Sequence, residues 1–267
     1  MSFLDTILSH KKEEVEEQKR RQPLALLAEK PLYHRQPLSL THALSGQSLS
    51  VIAEVKKASP SQGIIREDFD PVSIALEYVD AGAHALSVLT DVRFFQGAIQ
   101  SIEGIRDRTP VPVLRKDFII DEYQLHEAKA FGADAILLIA SALPPSQLHE
   151  FHAAANELGL GCLVEVHTVE EIRALDMSTV ACVGINNRDL RSFTTDLGTS
   201  LRLRQYIPDS VTVVSESGIR TAQDIAALAR CGIHAVLVGE TFMRAEHPGD
   251  ALRSFLRASY PHGVPAR

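Results

Sequence analysis

The chain has no tryptophan, only three cysteines and three methionines, and no long apolar run. Each shortage argues against a class of protein. Nothing approaches the roughly 18 consecutive apolar residues of a membrane helix. The N-terminus is polar and densely charged from Lys11 to Arg21, without the apolar core of a secretory signal. Cys162, Cys182 and Cys231 stand singly in apolar segments without CxxC spacing. They read as reduced, packed thiols in a cytoplasmic protein, not as a disulfide framework. The 11 histidines are scattered, with no HExxH, so no metal is expected. His126 and His149 read as surface or packing residues. His167 is the only histidine expected near the functional end. There is no GxSxG elbow and no GxGxxG turn. Basic residues are outnumbered 27 to 34, for a net charge of -7. No concentrated basic surface is available for nucleic acid.

What the chain does have is regular. Its 267 residues, 45% hydrophobic, suffice for one large core. Short apolar segments at 50–56, 84–89, 112–116, 134–139, 161–165, 181–186, 211–215 and 235–238 have the length and composition of buried strands. Helical segments separate them, near 71–82, 98–107, 121–131, 144–158, 168–175, 198–205, 221–231 and 248–258. Asp70-Pro71 and Thr221 are helix starts, and Gly82, Gly132, Gly159 and Gly232 are helix stops. Eight strand-then-helix units imply parallel pairing closed into an α/β (β/α)8 TIM barrel, which typically takes about 250 residues. The rival, an open doubly wound sheet, lacks its glycine fingerprint here. Residues 1–48 differ from the rest. Leu4, Ile7, Leu8, Lys11 and Val15 follow a helical period, and Pro23, Pro31 and Pro37 then break the chain. The expected organisation is an N-terminal helical extension (1–48) and a barrel (49–267).

Several apolar strands end in charge. Ser50-Val51-Ile52-Ala53-Glu54-Val55-Lys56 sets a carboxylate and an ammonium two residues apart, on one face of a strand. The same grammar recurs at Leu114-Arg115-Lys116, Leu163-Val164-Glu165 and Val214-Ser215-Glu216. Asn186 ends the sixth strand. Buried charge is costly unless paired or used, and in a barrel all these ends meet at the carboxyl face, where active sites are built. A salt-bridge lattice closing the barrel is the structural alternative, and Asn186 and Ser217 fit it poorly. Ser217-Gly218 after the seventh strand and Gly239-Glu240 after the eighth match the usual phosphate site of such barrels. The Glu240 side chain is expected to turn aside while its N–H serves.

Lysines and carboxylates suit acid–base work on an anionic sugar phosphate. A lysine donates poorly at neutral pH unless its pKa falls, which burial or a neighbouring cation would achieve. Lys57 and Arg115 lie next to Lys56 and Lys116 in sequence. A Schiff-base role for either lysine stays open. Phe94, Phe95 and Phe118 could wall an aromatic substrate or pack the core.

These residues carry a family resemblance. Ile52 to Ser61, Leu89-Thr90-Asp91 with Phe94 to Gly97, Leu114 to Phe118, Leu163 to His167, Gly184 to Leu190, Ser215 to Ile219 and Val238 to Glu240 stand in the order of a known family. The chain resembles indole-3-glycerol phosphate synthase over almost its whole length. The resemblance implies decarboxylative, dehydrating ring closure of 1-(2-carboxyphenylamino)-1-deoxyribulose 5-phosphate in tryptophan biosynthesis, with no cofactor. It implies Lys116 as general acid and Glu165 as base. Lys56 would hold the substrate's anionic groups, phosphate included, and act as a second acid. Glu54, Asn186 and Glu216 would orient these groups. Ser59, Phe95, Phe118 and Arg188 would bind substrate, and Ser217, Gly218, Gly239 and Glu240 the phosphate. The charged N-terminal helix resembles the family's extension near the barrel mouth. With the chain ending at Arg267, the preceding isomerase is expected on a separate chain. Neither nucleic acid nor membrane is expected as a partner, and association with other tryptophan-pathway enzymes stays open. From residue types alone, another sugar-phosphate isomerase or aldolase, or a non-catalytic phosphometabolite-binding barrel, would use similar parts.

Overall fold

The structure is a computed structural model that describes residues 2–46, 49–189 and 193–259. Eight strands form its centre: β1 (Ser50–Val55), β2 (Ala85–Leu89), β3 (Val113–Lys116), β4 (Ala135–Ile139), β5 (Gly161–Val166), β6 (Cys182–Asn186), β7 (Thr212–Glu216) and β8 (Ala235–Val238). Each pairs in parallel with its sequence neighbours, and β1 pairs with both β2 and β8, so the sheet closes into a barrel with no free edge.

Period 2 divides every strand between two cores. Ile52, Leu114, Leu163, Val214 and Leu237 point inward and fill the barrel, while Val51, Val113, Val164, Val213 and Val236 pack outward under the helices. The inward set continues one step further along each strand to Glu54, Lys116, Glu165 and Glu216. Register then sets two polar ends side by side, Asn186 against Glu216, and places Glu165 beside the apolar end of β4 at Ile139.

The helices fall where the sequence places them, within a few residues. Pro71–Ala81 begins at Asp70, whose carboxylate accepts from the Val72 amide at 3.0 Å, and ends at Gly82 with φ 103°. Ala222–Arg230 opens with a capping box between Thr221 and Asp224. Two features lie outside the sequence expectations. The connection after β1 carries a two-stranded hairpin, Ala58–Ser59 with Gly63–Ile64. The loop after β2 contains a single helical turn, Val92–Phe95, capped by Asp91. Both are too short to show a period. Cys162 and Cys182 are buried as expected, but Cys231 is exposed, because it caps the end of a surface helix.

The N-terminal helix α1 (Phe3–Arg21) opens with a capping box of Ser2 and Asp5 and buries Ile7, Lys11 and Val15, one per turn. Short turns at Leu24–Ala28, Pro31–His34 and Leu40–Ala43 follow it to the barrel's amino end, where Leu40 and Leu44 join the inner core.

Candidate active site

A cavity of about 540 Å3 opens at the carboxyl ends of the strands, a volume suited to a small ligand. Leu137, Ile139 and Leu237 line its apolar part, and Phe3, Leu4 and Ile7 of α1 form part of the opposite wall. Phe95 and Phe118 face it with ring centroids 6.2 Å apart. Phe94 does not line it. Its ring packs edge-on against Phe3 and His10, at 5.7 and 5.9 Å, and so holds α1 in place.

Lys116 occupies the centre. Its ammonium lies 3.4 Å from Glu165 Oε2 and 3.3 Å from Glu216 Oε2, and Glu54 is close enough to act on it as well. Glu54 in turn pairs with Lys56. The condition of a lowered lysine pKa is not met here. Burial alone would discharge Lys116, but the charges of Glu216, Glu165 and Glu54 outweigh it and hold the lysine well above its usual range. Nor does Arg115 help to lower it. Odd and even positions of a strand face opposite ways, so Arg115 points out beneath Tyr123–Ala130, 2.7 Å from Glu127 and 3.2 Å from Asp117.

The two carboxylates beside Lys116 differ. Glu165 stands below the ordinary value: burial raises it, but Lys116 and then His167 pull it down further. Burial pushes Glu216 up to about 7; Lys116 opposes this, and the charges of Glu165 and Glu54 add to it. Two glycines make room for the carboxylates. A Cβ on Gly184 would stand 2.1 Å from Glu216 Oε1, and one on Gly239 would stand 2.4 Å from Glu54 Oε1. At 239, therefore, glycine serves the acid–base cluster as well as the loop.

After β7, Ser217 and Gly218 adopt successive left-handed conformations, φ 67° and 78°. The side-chain amide of Asn187 holds this turn by donating to Ser217 O and to Ser215 Oγ, both at 3.0 Å, while its carbonyl oxygen accepts from Ser200 Oγ at 2.8 Å. Gly239 leads into the turn Glu240–Met243. The Glu240 carboxylate lies 3.0 Å from Arg244 Nε and 3.5 Å from Arg188 Nη2. Arg188 also donates to Ser61 Oγ at 2.6 Å, and Arg244 to Gln62 Oε1 at 2.7 Å, so loops after β1, β6 and β8 meet over the cavity.

A family model described as indole-3-glycerol phosphate synthase matches residues 4–255. The chain belongs to the indole-3-glycerol phosphate synthase family. The synthase of Salinibacter ruber is 52% identical over 260 residues, covering 97% of this chain and 96% of that one. The synthase of Chlorobium phaeovibrioides is 50% identical over 242 residues, covering 90% and 94%. Solved structures at lower identity share the fold alone. 3-Hexulose-6-phosphate synthase from Salmonella typhimurium has a TM-score of 0.64 at 15% identity, over 80% of this chain and all of that one. A chain of the tryptophan synthase a2b2 complex of Pyrococcus furiosus has a TM-score of 0.58 at 17% identity, over 79% and 97%. As a member of the indole-3-glycerol phosphate synthase family, the chain is a carboxy-lyase of tryptophan biosynthesis that acts on a phosphorylated small molecule.

Every residue that the sequence singles out for this synthase chemistry lines the one cavity, including Ser59 and Arg188. Others had escaped notice. Arg220 and Arg244 line it too, on loops that sequence spacing does not align. The Asn187, Ser200 and Ser215 network hides in ordinary polar residues. Lys11 did leave a signal, being a charged residue inside the apolar stripe of α1. It is fully buried, 2.9 Å from both Asp91 and Asp117 and 3.0 Å from Glu14.

Proposed function

We propose that Lys116 is the general acid of ring closure and Glu165 the base that completes dehydration. The observation that carries this reading is the Lys116 ammonium held 3.4 Å from Glu165 and 3.3 Å from Glu216 at the floor of the cavity. Attack of the aromatic carbon on the sugar carbonyl turns the carbonyl oxygen into an alkoxide. An alkoxide is a stronger base than any amine, so a lysine held fully charged still donates to it. The high proton affinity of Lys116 guarantees that the proton is present whenever substrate arrives. Loss of carbon dioxide then restores the aromatic ring. Dehydration needs one proton on the departing hydroxyl and removal of one from the intermediate. The first suits Lys56 and the second Glu165, the carboxylate kept ionised. Two protons enter and one leaves, so each turnover of the carboxylate substrate consumes one proton from solvent.

In this reading Glu54, Asn186 and Glu216 orient the reacting groups. Phe95 and Phe118 hold the aromatic ring, and Ser59 and Arg188 contact the substrate. Lys56, Ser217, Gly218, Gly239 and Glu240 receive the phosphate, Glu240 through its backbone N–H, with its carboxylate engaged by Arg188 and Arg244. Residues 1–48 serve as a cover for the mouth and 49–267 as the catalytic barrel, a division supported by Phe3, Leu4 and Ile7 in the cavity wall. The protein works in the cytoplasm without nucleic acid or membrane, in keeping with its few scattered cysteines and its net charge of -7. Among the described residues no helix is long and apolar enough to cross a membrane.

Lys116→Met tests the acid role. Turnover of the anthranilate-derived substrate, followed by indole absorbance or fluorescence, should fall by roughly 100-fold or more. The fold should persist, with the three carboxylates taking up protons in place of the lost charge. Near-normal kcat would refute the assignment.

A further inference from the structure

Glu165 and Glu216 lie at equal range from the same lysine, are equally buried, and yet differ in proton affinity. Asn186 contributes to the difference by bonding to Glu165, and geometry shows a further source. Glu165 has a second neighbour on its far side: His167 Nε2, 3.6 Å from Glu165 Oε1. The other ring nitrogen, Nδ1, lies 3.7 Å from Glu171 Oε2. The His167 ring is outside the cavity lining. Both of its nitrogens are shielded from solvent, and neither makes a hydrogen bond among the described residues. The two carboxylates are the polar partners of a buried imidazole.

We propose that His167 is a positioning residue that decides which of the two carboxylates serves as base: held between Glu165 and Glu171, it singles out Glu165, and not Glu216, as the carboxylate that takes up the proton. This rests on the reading of Glu165 as the base. The groups facing the ring are Glu165 from β5, Glu171 from the helical turn Val169–Arg173 and Glu216 from β7, with Lys116 beyond Glu165. Burial works against a charged ring, but Glu171, Glu165 and Glu216 outweigh it and hold His167 above its ordinary value. Glu171 is itself fixed, accepting from the His167 and Thr168 amides at 2.5 and 3.3 Å. Glu165 is thus in direct contact with two cations, whereas Glu216 touches Lys116 and feels His167 only from further off.

The pH profile of kcat separates this role from a structural one. In His167→Gln the base loses one of its two cations, so its pKa rises and activity fails at a higher pH on the acid side. A displacement of about one unit is expected, as for loss of one close opposite charge. Well down the acid limb, turnover at a given pH should fall by up to about tenfold relative to the parent, with kcat at pH 8.5 within a few-fold and KM little changed. Glu171→Gln, which weakens the hold on the imidazolium, should move the same limb the same way by less, and it decides the matter should His167→Gln not fold. A uniform loss of kcat at every pH, or an unmoved acid limb, would overturn the proposal. Glu165→Gln distinguishes the two levels. If it is inactive while His167→Gln keeps the parent profile, only the role of His167 fails. If Glu165→Gln turns over normally, the base assignment itself fails.

Discussion

At the scale of the residue, the active site is built from groups that would destabilise the barrel if they stood alone. Glu216 is 1% exposed and pushed up to about 7 from an ordinary 4.5, so its ionisation in the folded protein is a net cost. A carboxyl raised in this way contributes its stability in full below the unfolded value. It loses that contribution as the pH climbs through the folded one. Glu216→Gln removes the ionisation altogether. Its melting temperature should therefore exceed the parent's by a margin that widens from pH 5 to pH 8, while kcat drops about tenfold or more. A margin independent of pH would show that Glu216 is not the buried charge responsible. Gly184 and Gly239 belong to the same ledger of space. A Cβ at either position would displace the carboxylate of Glu216 or Glu54. Sequence reading flagged Gly239 as a phosphate glycine and passed over Gly184, since close approach between β6 and β7 is invisible in either strand alone.

At the scale of the element, α1 shows how a charged residue can tether a helix. Lys11 sits at the centre of the buried stripe, between Asp91 on the loop after β2 and Asp117 on the loop after β3. Asp117 also accepts from Thr90 Oγ1 at 2.6 Å and meets Arg115, so the tether reaches the residue next to Lys116. Removing one partner of such a buried cluster typically costs about 3–5 kcal/mol, because the other partner is left buried without compensation. Lys11→Met should lose stability of that order in denaturant titrations and should raise KM, since Phe3, Leu4 and Ile7 travel with the helix. Pairing it with Asp91→Asn should recover part of the loss in a double-mutant cycle. Strict additivity of the two changes would argue against the tether. The helical period over Leu4 to Val15 was plain in the sequence. Its partners were not, because they lie roughly a hundred residues away along the chain.

At the scale of the whole molecule, the cavity collects the ends of the strands into a single container. A ligand held there links loops after β1, β6 and β8 that otherwise meet through Arg188 and Arg244. Substrate added to the inert Lys116→Met protein should raise its melting temperature, by the equivalent of about 2.7 kcal/mol at 100 times Kd. A melting curve unmoved by saturating substrate would place binding elsewhere. The same reading covers the net charge of -7. Lys56, Lys116, Arg188, Arg220 and Arg244 bring positive charge to the mouth of a chain that is acidic as a whole.

Fold class and element order were legible in the sequence because both follow from local periodicity. Eight apolar strands alternate with capped helices, and closure is the arrangement that leaves no strand edge exposed. Period 2 also put Glu54, Lys116, Glu165 and Glu216 on the inner face at the carboxyl end. Motif order carried the family. The sequence alone could not supply the sign of the electrostatics. It offered burial or a neighbouring cation as ways to lower a lysine, whereas the barrel turns Arg115 outward and gathers three carboxylates around Lys116 instead. It put His167 near the mouth, alone among 11 histidines, but gave it no partner and no role. Proton affinity depends on which charges lie within a few ångströms and how much water is excluded. Those distances exist only once the strands have closed side by side.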